Sequence, residues 1–241
     1  MSDKNFDVVV YGASGFTGKL VVEYLHQQYG DDQNFSWALA GRSQEKLTSV
    51  RDELGISKDV TVLIVDSNDE SSVIEMVTQT KCVLTTVGPY QLYGQNIIKQ
   101  CAQHGTDYVD LCGEPGWMHE MINEYSKQAE ETGARIVFSC GFDSIPFDLG
   151  VFFLQKEVIA KHGKPASSIR GRVRAMNGEF SGGTAASLGA TMASLKKKPE
   201  LFEVLANPFA LSNGFVGPEQ PRDHKPIFDE KLETWVAPFF M

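Results

Sequence analysis

Several things are scarce in these 241 residues, and each scarcity closes off a class of function. There are four cysteines, Cys82, Cys101, Cys112 and Cys140, far apart, with no CxxC pair and no matching histidine pair. That excludes the pattern of a disulfide framework or a zinc site, so no metal is expected, and most of the cysteines read as small buried hydrophobes. No run approaches the roughly 20 apolar residues of a membrane-spanning helix, and MSDKNFDVVV lacks the basic-then-apolar order of a secretion signal. The expectation is a soluble cytoplasmic protein with no transmembrane segment, with peripheral membrane association left open. Basic charge is in deficit: 22 Lys and Arg face 31 Asp and Glu, a net charge of −9. Beyond Lys196, Lys197 and Lys198 there is no basic tract, so nucleic acid is not an expected partner. No Tyr is followed four residues later by Lys, which removes the usual acid of short-chain dehydrogenases.

What is present is an ordinary globular composition, 42% hydrophobic and 22% charged, long enough for one large or two modest domains. The sequence is organised around FDVVVYGASGFTG, Phe6 to Gly18. Phe6, Val8, Val9, Val10 and Tyr11 form the near-continuous apolar run of a parallel strand buried on both faces. Gly12 permits a sharp turn, Gly15 lets the backbone approach a ligand, and Gly18 lets the next helix lie close to the strand. Phe16, Leu20, Val21, Leu25 and Tyr29 follow at helical spacing. The turn Gly12, Ala13, Ser14, Gly15, Phe16, Thr17, Gly18 therefore stands between strand and helix, where free amides can face a pyrophosphate. Its first spacing is GxxG, not GxG, a variant found in NADP-binding families, and no Lys-Ser or Lys-Thr follows as in a nucleoside triphosphatase.

Further strands are predicted over 36–40, 61–65, 82–87, 107–111 and 135–139, each followed by a helical pattern. The second ends in Gly41-Arg42-Ser43. An acidic residue there would hold an NAD ribose hydroxyl, whereas Arg42 suits the 2′-phosphate of NADP and disfavours a methyltransferase-like reading; Ser43 can cap the following helix. Asp66, after the third strand, either lies beside the adenine or helps cap its helix, for which Ser67 and Glu70 predict a capping box. In a doubly wound sheet of order 3-2-1-4-5-6 the ends of strands 1 and 4 flank the ligand crevice. That places Val87, Gly88, Pro89 and Tyr90 near the nicotinamide ribose, with Tyr90 stacking, donating a proton, or only packing. Tyr90 and Asp143 are the first catalytic candidates because they follow strands 4 and 6 on the ligand side; Glu114, after strand 5, is third. Asp143 can equally cap the helix beginning near Pro146.

From Gly163 the character changes. Ser168 to Met176 alternates polar and apolar like a half-buried strand. Ser181 to Thr184 opens a helix with a small-residue stripe, Gly182, Ala186, Ala190 and Ser194, read as a tight packing face in preference to a substrate role for Thr184. Beyond Asn207 the residues suggest no compact unit.

GASGFTG, AGR, VGPY, the GEP turn and GFDSIP together resemble the saccharopine dehydrogenase-like oxidoreductases, including trans-acting enoyl reductases, over about residues 6 to 155. The resemblance implies an α/β fold: a doubly wound parallel Rossmann sheet over residues 1–160 and a partial second α+β domain over 161–241, apparently cut short at its C-terminal end. It also implies NADP as cofactor, with NAD the less favoured alternative, and hydride transfer to a C=C or C=N bond of a small-molecule or lipid-like substrate. A homodimer is the candidate assembly. The alternative function is a non-catalytic NADP sensor or an inactive fragment.

Overall fold

A computed structural model describes residues 4–142, 144–178, 181–220 and 225–238. Its centre is a parallel sheet of β1 (Phe6–Tyr11), β2 (Trp37–Gly41), β3 (Thr61–Ile64), β4 (Thr80–Thr85), β5 (Asp107–Val109) and β6 (Ile136–Val137), in the order β3-β2-β1-β4-β5-β6. This is the doubly wound order expected above. Val9 pairs with Ala38 on one side and Val83 on the other, so β1 is flanked on both edges.

Alternation along a strand sends neighbouring side chains to opposite faces, and two cores follow from it. Val10 and Leu39 face α1 (Phe16–Tyr29) and α2 (Gln44–Glu53), meeting Val22, Leu25, Leu47 and Val50. Val9, Tyr11, Ala38 and Val83 face the other way. They meet α3 (Glu70–Gln79), α5 (Gln95–His104) and α6 (Pro115–Thr132) through Met76, Ile97, Ile98, Trp117 and Met121. The short α4 (Tyr90–Tyr93) precedes α5, and Gly94 divides what reads in sequence as one helix.

Beyond the sheet lie α7 (Ile145–His162), α8 (Gly182–Lys197), α9 (Leu201–Ala206) and an antiparallel hairpin of β7 (Ile227–Asp229) and β8 (Thr234–Val236). Pro in the first turn and a left-handed Gly163 at the end bound α7 as expected. The sequence boundary at residue 160 falls within its last turn.

Four expectations are corrected. The buried face of α1 is Gly18, Val22 and Leu25, while Phe16 and Leu20 are 76% and 52% exposed. Gly18 is the reason: it abuts the Gly12 carbonyl, so the positions four and seven residues later turn inward with it. The cap of α3 is Asp69, which accepts from the Ser71 amide, not Ser67; Glu70 instead accepts from Lys99 and Gln100. Residues 168–176 form no strand, because alternation makes a strand only beside a partner, and none pairs there among the described residues. On α8 the covered positions are Ser187, Ala190, Thr191, Ser194 and Leu195, whereas Gly182 and Ala186 are exposed.

Candidate functional site

The site begins where β1 ends. Gly12 has φ +91°, and a Cβ on it would stand 2.7 Å from Val87 Cγ2 and 2.8 Å from Thr86 Oγ1. A Cβ on Gly18 would stand 2.1 Å from the Gly12 carbonyl oxygen, so helix α1 could not lie this close to the strand with any other residue there. Gly15 differs. It is exposed, and its nearest obstruction would be the Gly12 carbonyl oxygen at 3.3 Å, so the fold requires glycine there less strictly than at 12 and 18, and its bare backbone is open to a ligand. Gly15 is also the N-cap of α1, with no side-chain cap and no acidic residue in the first turn. The opening amides therefore have no intrahelical acceptor and face outward with the positive end of the dipole. Ala13 is buried, its amide bonded to the Ala40 carbonyl, while Ser14 and Thr17 are half-buried and Phe16 projects outward.

Next to this turn, Arg42 leaves β2 exposed, with no hydrogen bond or ion pair to any described residue. Ser43 caps α2 by accepting from the Lys46 amide at 3.3 Å. Asp66 closes a local turn, Oδ1 accepting from the Asn68 amide at 3.0 Å and from its side chain. Neither of its two sequence readings includes that bond; it is not the cap of α3. Tyr11, absent from the sequence-based candidates, lies between these groups. Burial pushes its hydroxyl pKa up, the polar Ser67 nearby pulls the other way, and the charges of Asp66 and Arg42 both reach it. A polar aromatic directly before the glycine turn was the signal for it.

On the far side stand Val87, Gly88 and Pro89. Val87 packs on Gly12, and its amide donates to Thr85 Oγ1 at 3.2 Å. Tyr90 is 4% exposed and stacks on Trp117 at 5.8 Å between centroids. Its hydroxyl donates to the Thr85 carbonyl at 3.3 Å and accepts from the Leu111 amide at 3.4 Å. Burial, with Asp110 nearby, drives its pKa far up. Of the three roles left open in the sequence, this geometry is that of packing: the ring supports the turn from beneath and its proton points inward. Asp143 lies outside the described residues.

Two buried carboxyls underlie this wall. Asp110 is 3% exposed, and accepts from Tyr108 Oη at 2.7 Å and from the amides of Cys112 and Ser139 at 2.9 and 2.7 Å. Burial raises its pKa despite those donors. Glu114 is 2% exposed and accepts from the amides of Tyr90 and Gln91. Spacing marked Glu114 as a candidate acid, but both its oxygens are taken up by donors, so none is free to deliver a proton.

The parts fit a dinucleotide with a phosphorylated ribose. An open glycine and uncapped helix start suit a diphosphate, and an unpaired guanidinium at the end of the next strand suits one further phosphate.

Comparison with known proteins agrees with this geometry. The family profile of the saccharopine dehydrogenase NADP binding domain matches residues 8–137. A Mycobacterium tuberculosis relative, by name a candidate trans-acting enoyl reductase, is 39% identical across 99% of this chain and 58% of its own length. A trans-acting enoyl reductase of Mycobacterium ulcerans is 38% identical across 88% of this chain and 50% of its own. A lipid droplet localized protein of Caenorhabditis elegans is 49% identical across 63% and 36%. The chain thus spans about half the length of the curated relatives it matches. Among solved structures, apo saccharopine dehydrogenase (L-Glu forming) from Saccharomyces cerevisiae superposes with a TM-score of 0.52 at 18% identity, over 65% of this chain and 32% of that one. That likeness is one of fold.

Proposed function

The chain belongs to the family defined by the saccharopine dehydrogenase NADP binding domain, and from that premise we propose that it is an NADP-dependent oxidoreductase acting on a C=C or C=N bond. Enoyl reduction in lipid metabolism is the specific form of this reading, supported by relatives that carry that name. The observation that carries it is Arg42, exposed and unpaired among described residues beside the uncapped start of α1. Bound there, NADPH supplies the hydride. The chain's own part is to hold the diphosphate on the amides of 16–18, to hold the 2′-phosphate with Arg42, and to wall the nicotinamide side with Val87 to Pro89. These contacts orient the donor and exclude water. Asp143, following β6, is the acid this reading assigns. A lipid-like substrate, met at a lipid surface by peripheral association, accords with the lipid droplet relative. Among the described residues no helix is long and apolar enough to cross a membrane.

Calorimetric titration tests the assignment. Charge-assisted hydrogen bonds contribute about 1.5 to 3 kcal/mol, so Arg42→Ala should weaken NADPH roughly ten- to a hundredfold and leave NADH unchanged. Equal losses for both nucleotides would remove the basis for NADP.

A second reading, an NADP sensor without turnover, is favoured by one observation: neither Tyr90 nor Glu114 presents a free proton to the cleft. Transfer of deuterium from C4-labelled NADPH to an enoyl thioester would reject it.

A further inference from the structure

Glu114 has no chemical step in the proposed function, yet it accepts four hydrogen bonds from two separate parts of the molecule. Its Oε1 accepts from the Tyr90 amide and from Ser187 Oγ, both at 2.8 Å. Its Oε2 accepts from the Gln91 amide at 3.0 Å and from Gln91 Nε2 at 2.9 Å. Two of these donors open α4 directly after Gly88 and Pro89, so the carboxylate grips the turn whose other end, Val87, packs on Gly12. A third donor belongs to α8. Ser187 Oγ would be 3.6 Å from a Cβ on Gly88, so the helix passes directly over that turn.

The grip of α8 elsewhere is slight. Leu195 is its one buried residue. Its other anchors are polar: Thr191 and Ser194 bond the side chain of Gln91, which itself bonds Glu114, and Lys198 at its C-terminal end pairs with Glu120 of α6 at the surface. The seam is incompletely filled, with a cavity of about 40 Å³ lined by Gln91, Glu114, Trp117, Thr191 and Ser194. Trp117 Nε1 is buried there without a partner among described residues. A helix held by a few linked hydrogen bonds and little apolar burial docks and undocks more readily than one held by a core. A buried carboxylate in turn needs its donors, since each one lost leaves charge uncompensated.

We infer that Glu114 is a positioning residue that makes occupancy of the dinucleotide site and docking of α8 one linked event. Its carboxylate seats Ser187 only while it also holds the amides that set the Val87–Tyr90 wall. This rests on the reading that the Gly12–Gly18 turn binds NADP(H). The linkage is reciprocal: the factor by which NADPH favours the docked helix is the factor by which docking favours NADPH.

The test is hydrogen exchange of the α8 amides in the full chain, with and without NADPH, beside calorimetric NADPH affinities for the parent, Glu114→Gln and Ser187→Ala. NADPH should slow exchange across α8 in the parent. Glu114→Gln sets an amide N–H against existing donors; it should abolish that slowing and weaken NADPH about tenfold. Ser187→Ala removes one hydroxyl from a half-buried face; it should weaken NADPH about threefold and reduce the slowing by the same factor. If Glu114→Gln fails to fold, Ser187→Ala decides alone. A role in stability alone would lower the unfolding midpoint without uncoupling the nucleotide from α8. Parent protein that binds NADPH with α8 exchange unchanged, or variants that keep both parental affinity and parental slowing, would overturn the inference and leave the cofactor assignment standing. Parent protein that binds no NADPH would overturn both.

Discussion

Helices α6 and α7 are matched in outline: each has 18 residues, a proline in its first turn and a left-handed glycine after its last. They differ in where their apolar residues go. In α6 Trp117, Met118, Met121 and Ala129 lie along one face and are buried, the first three in the core on the sheet and Ala129 against Ala102 of α5. In α7 apolar residues occur on every side and none is buried; Phe152 and Phe153 are 68% and 65% exposed. A single apolar stripe tells a helix which way to face, whereas all-round apolarity does not select a face. The contrast extends to the regions that contain them: the sheet region has two cores, and from residue 145 to 238 the described residues contribute Leu195 to burial. Rigid walls of the site thus come from the first region, and the second meets it chiefly through polar contacts, with Leu195 and Leu201 its apolar ones.

The comparison breaks most decisively at glycine. Gly18→Val would drive a side chain into the Gly12 carbonyl and should destabilise the sheet region by about 3 kcal/mol or more. Gly189→Ala in α8, where a Cβ would meet nothing within 4 Å, should be neutral or stabilising by up to about 1 kcal/mol. Urea midpoints for the two variants would settle it, and a similar loss from both would erase the difference between regions.

Core truncation is a second route to the same contrast. Leu39→Ala, at a fully buried site in β2, should cost about 2 to 5 kcal/mol. Phe152→Ala on α7 should stay within about 0.5 kcal/mol. Thermal or urea unfolding reads both, and a comparable cost for Phe152 would mean that α7 is buried in solution.

The smallest effect is one of pH. Asp110 has its pKa raised by burial, so the folded protein holds that proton more tightly than the unfolded chain. Stability is then lost as pH rises from the ordinary carboxylate value, about 4, through the folded one. Asp110→Asn can keep an oxygen toward the Cys112 and Ser139 amides, and should gain on the parent as pH rises above about 4. Asp229 is opposite in sign: its bond from Arg172 holds its pKa down, giving a contribution present at neutral pH and lost in acid. Asp229 is half-buried and its one ion pair, to Arg172, lies at the surface and is screened by solvent, so Asp229→Asn should change the neutral midpoint too little to resolve. Should the stability of Asp110→Asn relative to the parent fall with rising pH, the sign assigned to Asp110 would be reversed.

The sheet and most of its helices were legible because their signals are local. Six apolar runs, each closed by a turn and followed by an amphipathic pattern, leave few other topologies once connections are right-handed. Helix stops are local in the same way: Gly105 and Gly133 close α5 and α6 in the left-handed conformation. The glycine turn was legible because Gly12 and Gly18 each answer a backbone requirement. What failed to show depended on partners distant in sequence. The alternation in 168–176 implied a strand without supplying a neighbour. Tyr90 follows β4 as the sequence indicates, but the direction of its hydroxyl depends on Thr85 and Leu111. Glu114 was marked by its place after β5, and its engagement by Ser187, 73 residues away, had no trace in local pattern.

By itself the sequence determined strand order, the glycine turn and the choice of Arg42 at the end of β2, since periodicity, backbone freedom and charge act over a few neighbouring residues. Tertiary structure alone decided which face of α1 turned inward, which tyrosine lay under the crevice and which carboxylate tied α8 to it. Those outcomes depend on steric exclusion and on pairing of buried polar groups, which exist only once remote segments occupy the same space.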